Sequence, residues 1–449
     1  MPNVASRPPP QVVATAQENK SVIETCFTNE TLKSMLPNIS EQLELCQKAL
    51  SSYLEDKRAE FPRFYFVSDA TLLQVLSVGS DPEKVQPHFE SGLFDAVSAI
   101  TFDKKDKTKI IEMQSRQKEV VPMEYPVDAT GTIEVWLQRL VDGMKDTVKA
   151  IIKRSTRDVE SQQRDEFIFG FPAQVALLGM QLQWTGQVQS ALVSAKTKKD
   201  VMNQAQKRVG QVLSEMIILT TRELSGNQRT NLETVITVYV HQRDVTDELV
   251  KKRIRDPTDF EWLKQARFYW RPEQDTAVIS ITDAEFEYSY EYLGIKERLV
   301  ITPLTDICYI TLAQALNMCL GGAPAGPAGT GKTETTKDLG NTLGKYVVVF
   351  NCGDQFDYIY MGKIFRGLAQ SGLWGCFDEF NRINLDVLSV CAQQILCVLT
   401  AIREGKKRFV FTGERRRATA CCLEALGTLR PRLHLPAVPC LLTHGVLTC

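Results

Sequence analysis

Residues Gly326-Pro327-Ala328-Gly329-Thr330-Gly331-Lys332-Thr333 fit, at every position, the spacing of glycine, four residues, glycine, lysine, then serine or threonine. That spacing suits a phosphate cradle. Glycines let successive backbone N–H groups turn toward anionic oxygens and leave room for the anion to approach. The Lys332 ammonium is a mobile point charge for terminal phosphates, and the Thr333 hydroxyl is a ligand for Mg²⁺. Glu334-Thr335-Thr336-Lys337-Asp338-Leu339 continues as a helix whose positive N-terminal end faces the phosphates. Further on, Leu373-Trp374-Gly375-Cys376-Phe377-Asp378-Glu379 reads as a buried parallel strand. Such a strand delivers its two carboxylates at the C-terminal edge, where open α/β sheets bind ligands. Asp378 is expected to hold Mg²⁺ through water, and Glu379 to orient the water that attacks a γ-phosphate. The plain alternatives are an incidental lysine in a Gly/Ala/Pro-rich turn and a solvated strand end. The 46 residues from Lys332 to Asp378, with the strand-like Tyr346-Val347-Val348-Val349-Phe350 between, favour a single site for ATP and Mg²⁺.

The elements that position these groups follow from periodicity. Between residues 276 and 412 strand and helix signals alternate, the pattern of a parallel sheet covered by helices. Ala277–Ile281, Arg298–Ile301 and Arg408–Thr412 read as strands, and about Ile307–Leu320 as a helix leading into the glycine loop. Gly321-Gly322-Ala323-Pro324-Ala325 is a weak strand by propensity, so tertiary context has to impose one there. Upstream, apolar stripes predict helices after a cap at Asn38, through Leu72–Leu76, Ile133–Ile152, Val175–Trp184, Met202–Leu219 and Leu232–Val240. This upstream part carries no constellation that suggests chemistry. Its aromatics, together with His88 and His241, read as packing residues.

Bulk properties narrow the class. A chain of 449 residues holds about two or three domains. A net charge of −1 gives no global field for nucleic acid or an anionic membrane. No apolar run of 18 residues is evident, so no membrane span is expected, and Met1–Lys20 is too polar for a signal peptide. Twelve scattered cysteines without a CxxC pair, and only four histidines, read as mostly buried thiols of a reduced cytosolic protein. Lys251-Lys252-Arg253-Ile254-Arg255 is a short basic cluster and reads as a solvated helix end. Residues 1–20 are expected as a flexible arm, 21–275 as a helical domain, 276–412 as an α/β domain, and 413–449 as a basic, Pro- and Cys-containing disordered tail or a segment from another reading frame or splice form.

Leu299-Val300-Ile301-Thr302-Pro303-Leu304-Thr305-Asp306, Thr333–Leu339, Gly367–Gly372 and Cys376-Phe377-Asp378-Glu379-Phe380-Asn381-Arg382 are long strings that resemble the first AAA+ module of the dynein heavy-chain family. Tyr53–Arg58, Arg63–Phe66, Phe171–Val175 and Asp259–Gln265 are similar to its linker, and Gly344–Cys352 looks more axonemal than cytoplasmic. The resemblance covers roughly residues 21–412 and implies a mainly helical linker domain followed by an incomplete P-loop AAA+ α/β domain. It implies that Gly326–Glu334 bind ATP phosphates and magnesium, that Asp378 and Glu379 are the Walker B pair, and that Leu299 and Val300 lie against adenine. In the full-length protein it implies a minus-end-directed microtubule motor of the ciliary axoneme, with intermediate chains, light chains and other heavy chains as partners. Two departures stand out. Ile307 occupies a position where the family usually has arginine, and after Thr412 the resemblance stops, before any sensor asparagine or arginine finger. A truncated isoform or gene model with an unrelated tail is the expectation, and with it very slow hydrolysis by this chain.

Three functions are weighed on this basis. The first is an ATPase motor segment. The second is a non-catalytic nucleotide-binding or dynein-interaction module. The third is a P-loop enzyme acting on nucleic acid, for which the basic groove with interleaved aromatics is not apparent.

Overall fold

The computed structural model describes residues 30–198, 200–327, 329–406, 408–411, 419–422 and 440–442. Ala328, the expected arm at residues 1–20, and most of the expected tail lie outside the described residues.

One compact unit ends at Glu60, and its described part is a single helix, α1 (Glu30–Glu60). The expected cap Asn38 lies inside this helix, which runs through Pro37. Lys57 pairs with Glu60 at 2.9 Å and Arg58 with Glu55 at 3.3 Å, i,i+3 contacts that link successive turns.

The second unit begins at Phe61. Its first elements are a 3-10 turn (Pro62–Phe66) and two short helices, α2 (Asp69–Ser77, capped by Ser68) and α3 (Pro82–Val85). Then comes an antiparallel meander absent from the sequence reading: β1 (Val97–Phe102), β2 (Lys109–Ser115) and β3 (Val120–Asp128), in the order β1-β2-β3. Pro122 and Pro126 argue against a strand when β3 is read alone. They are tolerated because β3 is an edge, where a missing N–H leaves no gap in a ladder. Its Val121, Met123 and Val127 alternate inward.

Five helices follow: α4 (Ile133–Ser161), α5 (Arg164–Gly170), α6 (Ala173–Ala195), α7 (Val201–Leu219) and α8 (Gly226–Lys251). The stripe on α4 predicted from Ile133 to Ile152 is its buried face. Helix α6 packs against α4, α7 and α8, and is buried on most sides, so its sequence carries little amphipathic contrast. A reciprocal Ser225–Gln228 capping box starts α8. The core of this region closes around Trp184 and Trp262, the latter on the short helix α9 (Phe260–Leu263), with ring centroids 5.4 Å apart. Tyr53, Tyr125 and Phe260 are exceptions to the packing expectation and stand exposed. His241 on α8 is also not simply packed: it lines a small cleft with Asp306, where burial pushes the imidazole pKa down and the Asp306 carboxyl up. The basic cluster at the end of α8 is exposed at Lys251, Lys252, Arg253 and Arg255, and Lys252 meets Glu261 at 2.7 Å.

A second meander, β4 (Arg267–Arg271), β5 (Thr276–Ile281) and β6 (Ala284–Glu287), spans the expected boundary at residue 275. The strand expected at Arg298–Ile301 is not formed. Residues 296–302 run without regular structure, and their anchoring is by side chains instead of a ladder. Helix α10 (Pro303–Asn317) has a Thr302–Thr305 capping box with Pro303 in its first turn, and so begins four residues before the expected start. Ahead of the glycine loop only an isolated bridge at Gly322 appears. Residues rich in glycine, alanine and proline offer no β-branched surface to hold a strand there.

The α/β part continues with α11 (Lys332–Thr342), β7 (Val347–Asn351), α12 (Tyr358–Ser371), β8 (Trp374–Asp378), α13 (Leu385–Arg403) and β9 (Arg408–Phe411). Strands β7 and β8 are parallel. From the tail, β10 (Thr419–Cys422) pairs antiparallel with β9, and β11 (Cys440–Leu442) pairs parallel with β8. Contrary to the expectation of no membrane-length stretch, α13 is long and apolar enough to cross a membrane by composition alone. Its Cys391, Val398, Ala401 and Ile402 belong to the α/β core, and it packs on α12 and β9. Among the described cysteines none forms a disulfide. Only Cys352, Cys376 and Cys391 are fully buried, while Cys46 is exposed, fewer buried than expected.

Candidate nucleotide-binding site

The glycine loop ends where α11 begins. Gly329 and Gly331 hold φ values of +78° and +77°, left-handed backbone that side chains rarely adopt. Open space surrounds the Cβ position of both, so the demand for glycine here is conformational. The Lys332 ammonium donates to the carbonyls of Gly326 (2.9 Å) and Pro327, and lies 3.4 Å from Thr330 Oγ1. The loop is thus wrapped about its own lysine, with Thr330 Oγ1 donating to Pro327 O at 2.9 Å. Thr335 Oγ1 returns to Gly331 O at 2.9 Å and ties the first turn of α11 to the loop.

Asp378 reaches this loop through the sheet. Asn351 faces Asp378 in the β7–β8 register, and Cys352 N–H donates to Asp378 O at 2.9 Å, which fixes the end of β8. Thr333 Oγ1 then donates to Asp378 Oδ2 at 3.0 Å. Two oxygen ligands from opposite motifs therefore stand side by side, the donor chemistry that a hard divalent cation such as Mg²⁺ prefers. The residues fit that ion.

Glu379 follows in the left-handed region (φ 52°, ψ 37°). A non-glycine residue there carries strain, of a kind that clusters at functional sites. Its N–H donates to Asp378 Oδ1 at 3.0 Å, and its carboxylate meets Arg382 Nε at 3.3 Å. Glu334, on the first turn of α11, pairs with Lys337 at 2.7 Å and is otherwise exposed. Cys352, close to Asp378, is no nucleophile: burial, then the neighbouring Cys391, Asp378 and Cys376, push its pKa up to about 12.

The residues expected against adenine, Leu299 and Val300, are less enclosed. Val300 is 70% exposed, and Leu299 borders a groove of about 700 Å³ together with Glu334, Lys337 and Asp338. Ile307, at the position where the resemblance lacks its arginine, is also exposed.

Sequence reasoning missed a buried cluster behind the loop. Arg298 Nε donates to Asp338 Oδ1 at 2.5 Å, its Nη2 to Asp338 Oδ2 at 3.2 Å and to Thr342 Oγ1 at 2.5 Å. The Tyr309 hydroxyl donates to the same carboxylate. The available signal was the helical position of Asp338, on the inward face of α11 among Thr335, Leu339 and Thr342. A charge on a buried face requires a partner.

A helical linker-type domain leading into a P-loop α/β domain of the AAA+ kind is the class that this fold and loop define. A family model described as the hydrolytic ATP binding site of dynein motor region matches residues 288–429, and one described as dynein heavy chain, N-terminal region 2, matches residues 10–155. The dynein gamma chain, flagellar outer arm, of Chlamydomonas reinhardtii is 66% identical over 403 residues, which are 90% of this chain and 9% of that one. Dynein axonemal heavy chain 8 of Homo sapiens is 51% identical over 404 residues (90% and 9%), and dynein axonemal heavy chain 5 of Rattus norvegicus 50% over 404 residues (90% and 12%). The chain belongs to the axonemal dynein heavy chains, carries their N-terminal and AAA ATP-binding regions, and spans about a tenth of the length of these relatives.

Proposed function

We propose that this chain binds Mg-ATP in the loop Gly326–Glu334. We further propose that hydrolysis in the full-length protein bends and straightens the helical linker and drives minus-end-directed movement along microtubules in the axoneme. The observation that carries the reading is the 3.0 Å contact between Thr333 Oγ1 and Asp378 Oδ2, residues 45 apart in sequence. Nothing in packing alone calls for a hydroxyl and a carboxylate at the open end of a strand beside a left-handed glycine loop.

In this reading each residue has one task. Backbone N–H groups of the loop hold the phosphate oxygens, and the Lys332 ammonium exchanges its carbonyl partners for the terminal phosphates. Thr333 and Asp378 hold Mg²⁺, which when bound neutralises charge developing on the phosphates. Glu379 positions and polarises the attacking water. Leu299 and Val300 take the adenine. Association with intermediate chains, light chains and other heavy chains belongs to the same proposal, supported by the 66% identity to a flagellar outer arm chain.

Titration calorimetry with Mg-ATP tests the site. The wild-type chain is expected to bind, and Lys332→Ala to lose binding while remaining folded. Equal affinity in both, or a folded wild type that does not bind, would reject the reading.

A further inference from the structure

We propose that Arg298 and Asp338 form a positioning strut that sets the spacing between the base side and the phosphate side of the nucleotide, and so confers preference for a nucleoside triphosphate over bare polyphosphate. The inference rests on the Mg-ATP reading above.

The segment that carries Leu299 and Val300 has no ladder or helix of its own between residues 296 and 302. Side chains alone hold it. Lys296 reaches Asp95 and lies 3.3 Å from Asn341 of α11. Arg298 makes its two-pronged contact with Asp338 and adds Thr342, both on α11. Planar bidentate pairing fixes direction as well as distance, which a lysine cannot do. The side chains are 6% and 4% exposed, so neither charge has water to fall back on. Tyr309 brings α10 to the same carboxylate. Three pieces of chain therefore meet at Asp338, and one of them is the helix that opens with Lys332 and Thr333. Asp338 lies six residues beyond Lys332, about 9 Å along the axis at 1.5 Å per residue. A shift of Arg298 relative to α11 moves residues 299–300 relative to the phosphate loop. The loop's own contacts, Lys332 to Gly326 O and Thr333 to Asp378, involve neither partner of the strut.

The experiment compares Mg-ATP with Mg-tripolyphosphate, titrated into the 449-residue chain. Four variants are used: Asp338→Asn, Arg298→Lys, Tyr309→Phe, and the double variant Arg298→Met with Asp338→Leu. The double variant leaves no unpaired buried charge, and Tyr309→Phe removes a single hydroxyl, so folded protein is available for the comparison. The expected result is a loss of Mg-ATP affinity of about tenfold or more in the first two and the double variant, and a smaller loss in Tyr309→Phe, while tripolyphosphate affinity changes by less than about threefold. Unchanged ATP affinity in folded Asp338→Asn overturns the strut. Equal weakening of both ligands also overturns it, since the pair would then merely support the loop. A wild-type chain that binds tripolyphosphate and shows no added affinity for ATP rejects the strut and spares the phosphate site. Failure to bind either ligand rejects the Mg-ATP reading itself.

Discussion

Glu379 occupies a backbone region that costs a non-glycine residue about 1–3 kcal/mol, and neighbouring contacts hold it there. The Asp378 carboxylate takes its N–H, and Arg382 takes its side chain. Such over-determined strain beside a Mg²⁺-type ligand pair makes sense if the carboxylate has to point at one place. Glu379→Gln keeps the size and removes the charge. The variant is expected to bind Mg-ATP within about threefold of wild type and to release phosphate about 10²-fold more slowly or worse. Single-turnover phosphate release checks this, and undiminished turnover would move the catalytic role elsewhere. Motif spacing singled out Lys332, Thr333, Asp378 and Glu379, because phosphate chemistry constrains which side chains sit at which offsets, and the fold brings Thr333 to Asp378. Arg298, Tyr309 and Arg382 were not legible, since their partners are chosen by packing and follow no spacing rule.

At the scale of elements, the end of α11 is as constrained as its beginning. Gly344 has φ +66°, and a Cβ placed on it would lie 2.5 Å from the ring of Tyr288. Tyr288 is itself buried and accepts a hydrogen bond from Gln174 Nε2 at 2.6 Å, so it cannot easily step aside. Gly344→Ala combines backbone strain with overpacking. It is expected to destabilise the chain by about 2–4 kcal/mol, read as a lower urea midpoint with an unchanged slope. A loss under about 0.5 kcal/mol would mean that Tyr288 yields freely. The long amphipathic helices were legible because a 3.6-residue apolar period survives over many turns. The β1–β3 meander was not. Its strands are short, its third strand carries two prolines, and its alternation is interrupted where register shifts occur between β1 and β2.

At the scale of the whole second unit, the helical part and the α/β part are joined by buried charge. Arg63 and Glu291 meet in two 2.7 Å hydrogen bonds, and Arg63 also donates to Leu93 O at 2.9 Å. Burial alone would raise the Glu291 pKa, yet the Arg63 guanidinium holds it below the ordinary 4.5. A carboxylate with a depressed folded pKa contributes stability that is present above its unfolded value and lost as the pH falls through the folded one. Glu291→Gln leaves Arg63 buried without a counter-charge and is expected to cost about 3–5 kcal/mol near neutral pH. In urea titrations the gap between wild type and variant should narrow once the pH falls below 4.5. A gap independent of pH would show that the charge is irrelevant. Lys345 has the opposite sense. Burial, then the nearby Lys145, push its pKa down to about 8 from 10.5, so the unfolded chain binds more protons in that window. Stability attributable to Lys345 therefore rises with pH between about 8 and 10.5, and Lys345→Met should flatten that rise.

The sequence by itself determined the phosphate loop, the acidic strand end, the alternation of the α/β part and the run of upstream helices. Each of these is local: it depends on turn chemistry, on offsets within about ten residues, or on a period that repeats. The tertiary structure alone decided that Thr333 and Asp378 meet, that residues 296–302 are held by side chains instead of a ladder, and that a single bridge stands where a strand was expected before the loop. It also decided that the third strand beside β8 comes from residues 440–442. These outcomes turn on which surfaces are adjacent after folding. Burial sets the cost of an unpaired charge or an unmade hydrogen bond, and no stretch of sequence read alone says what will lie against it.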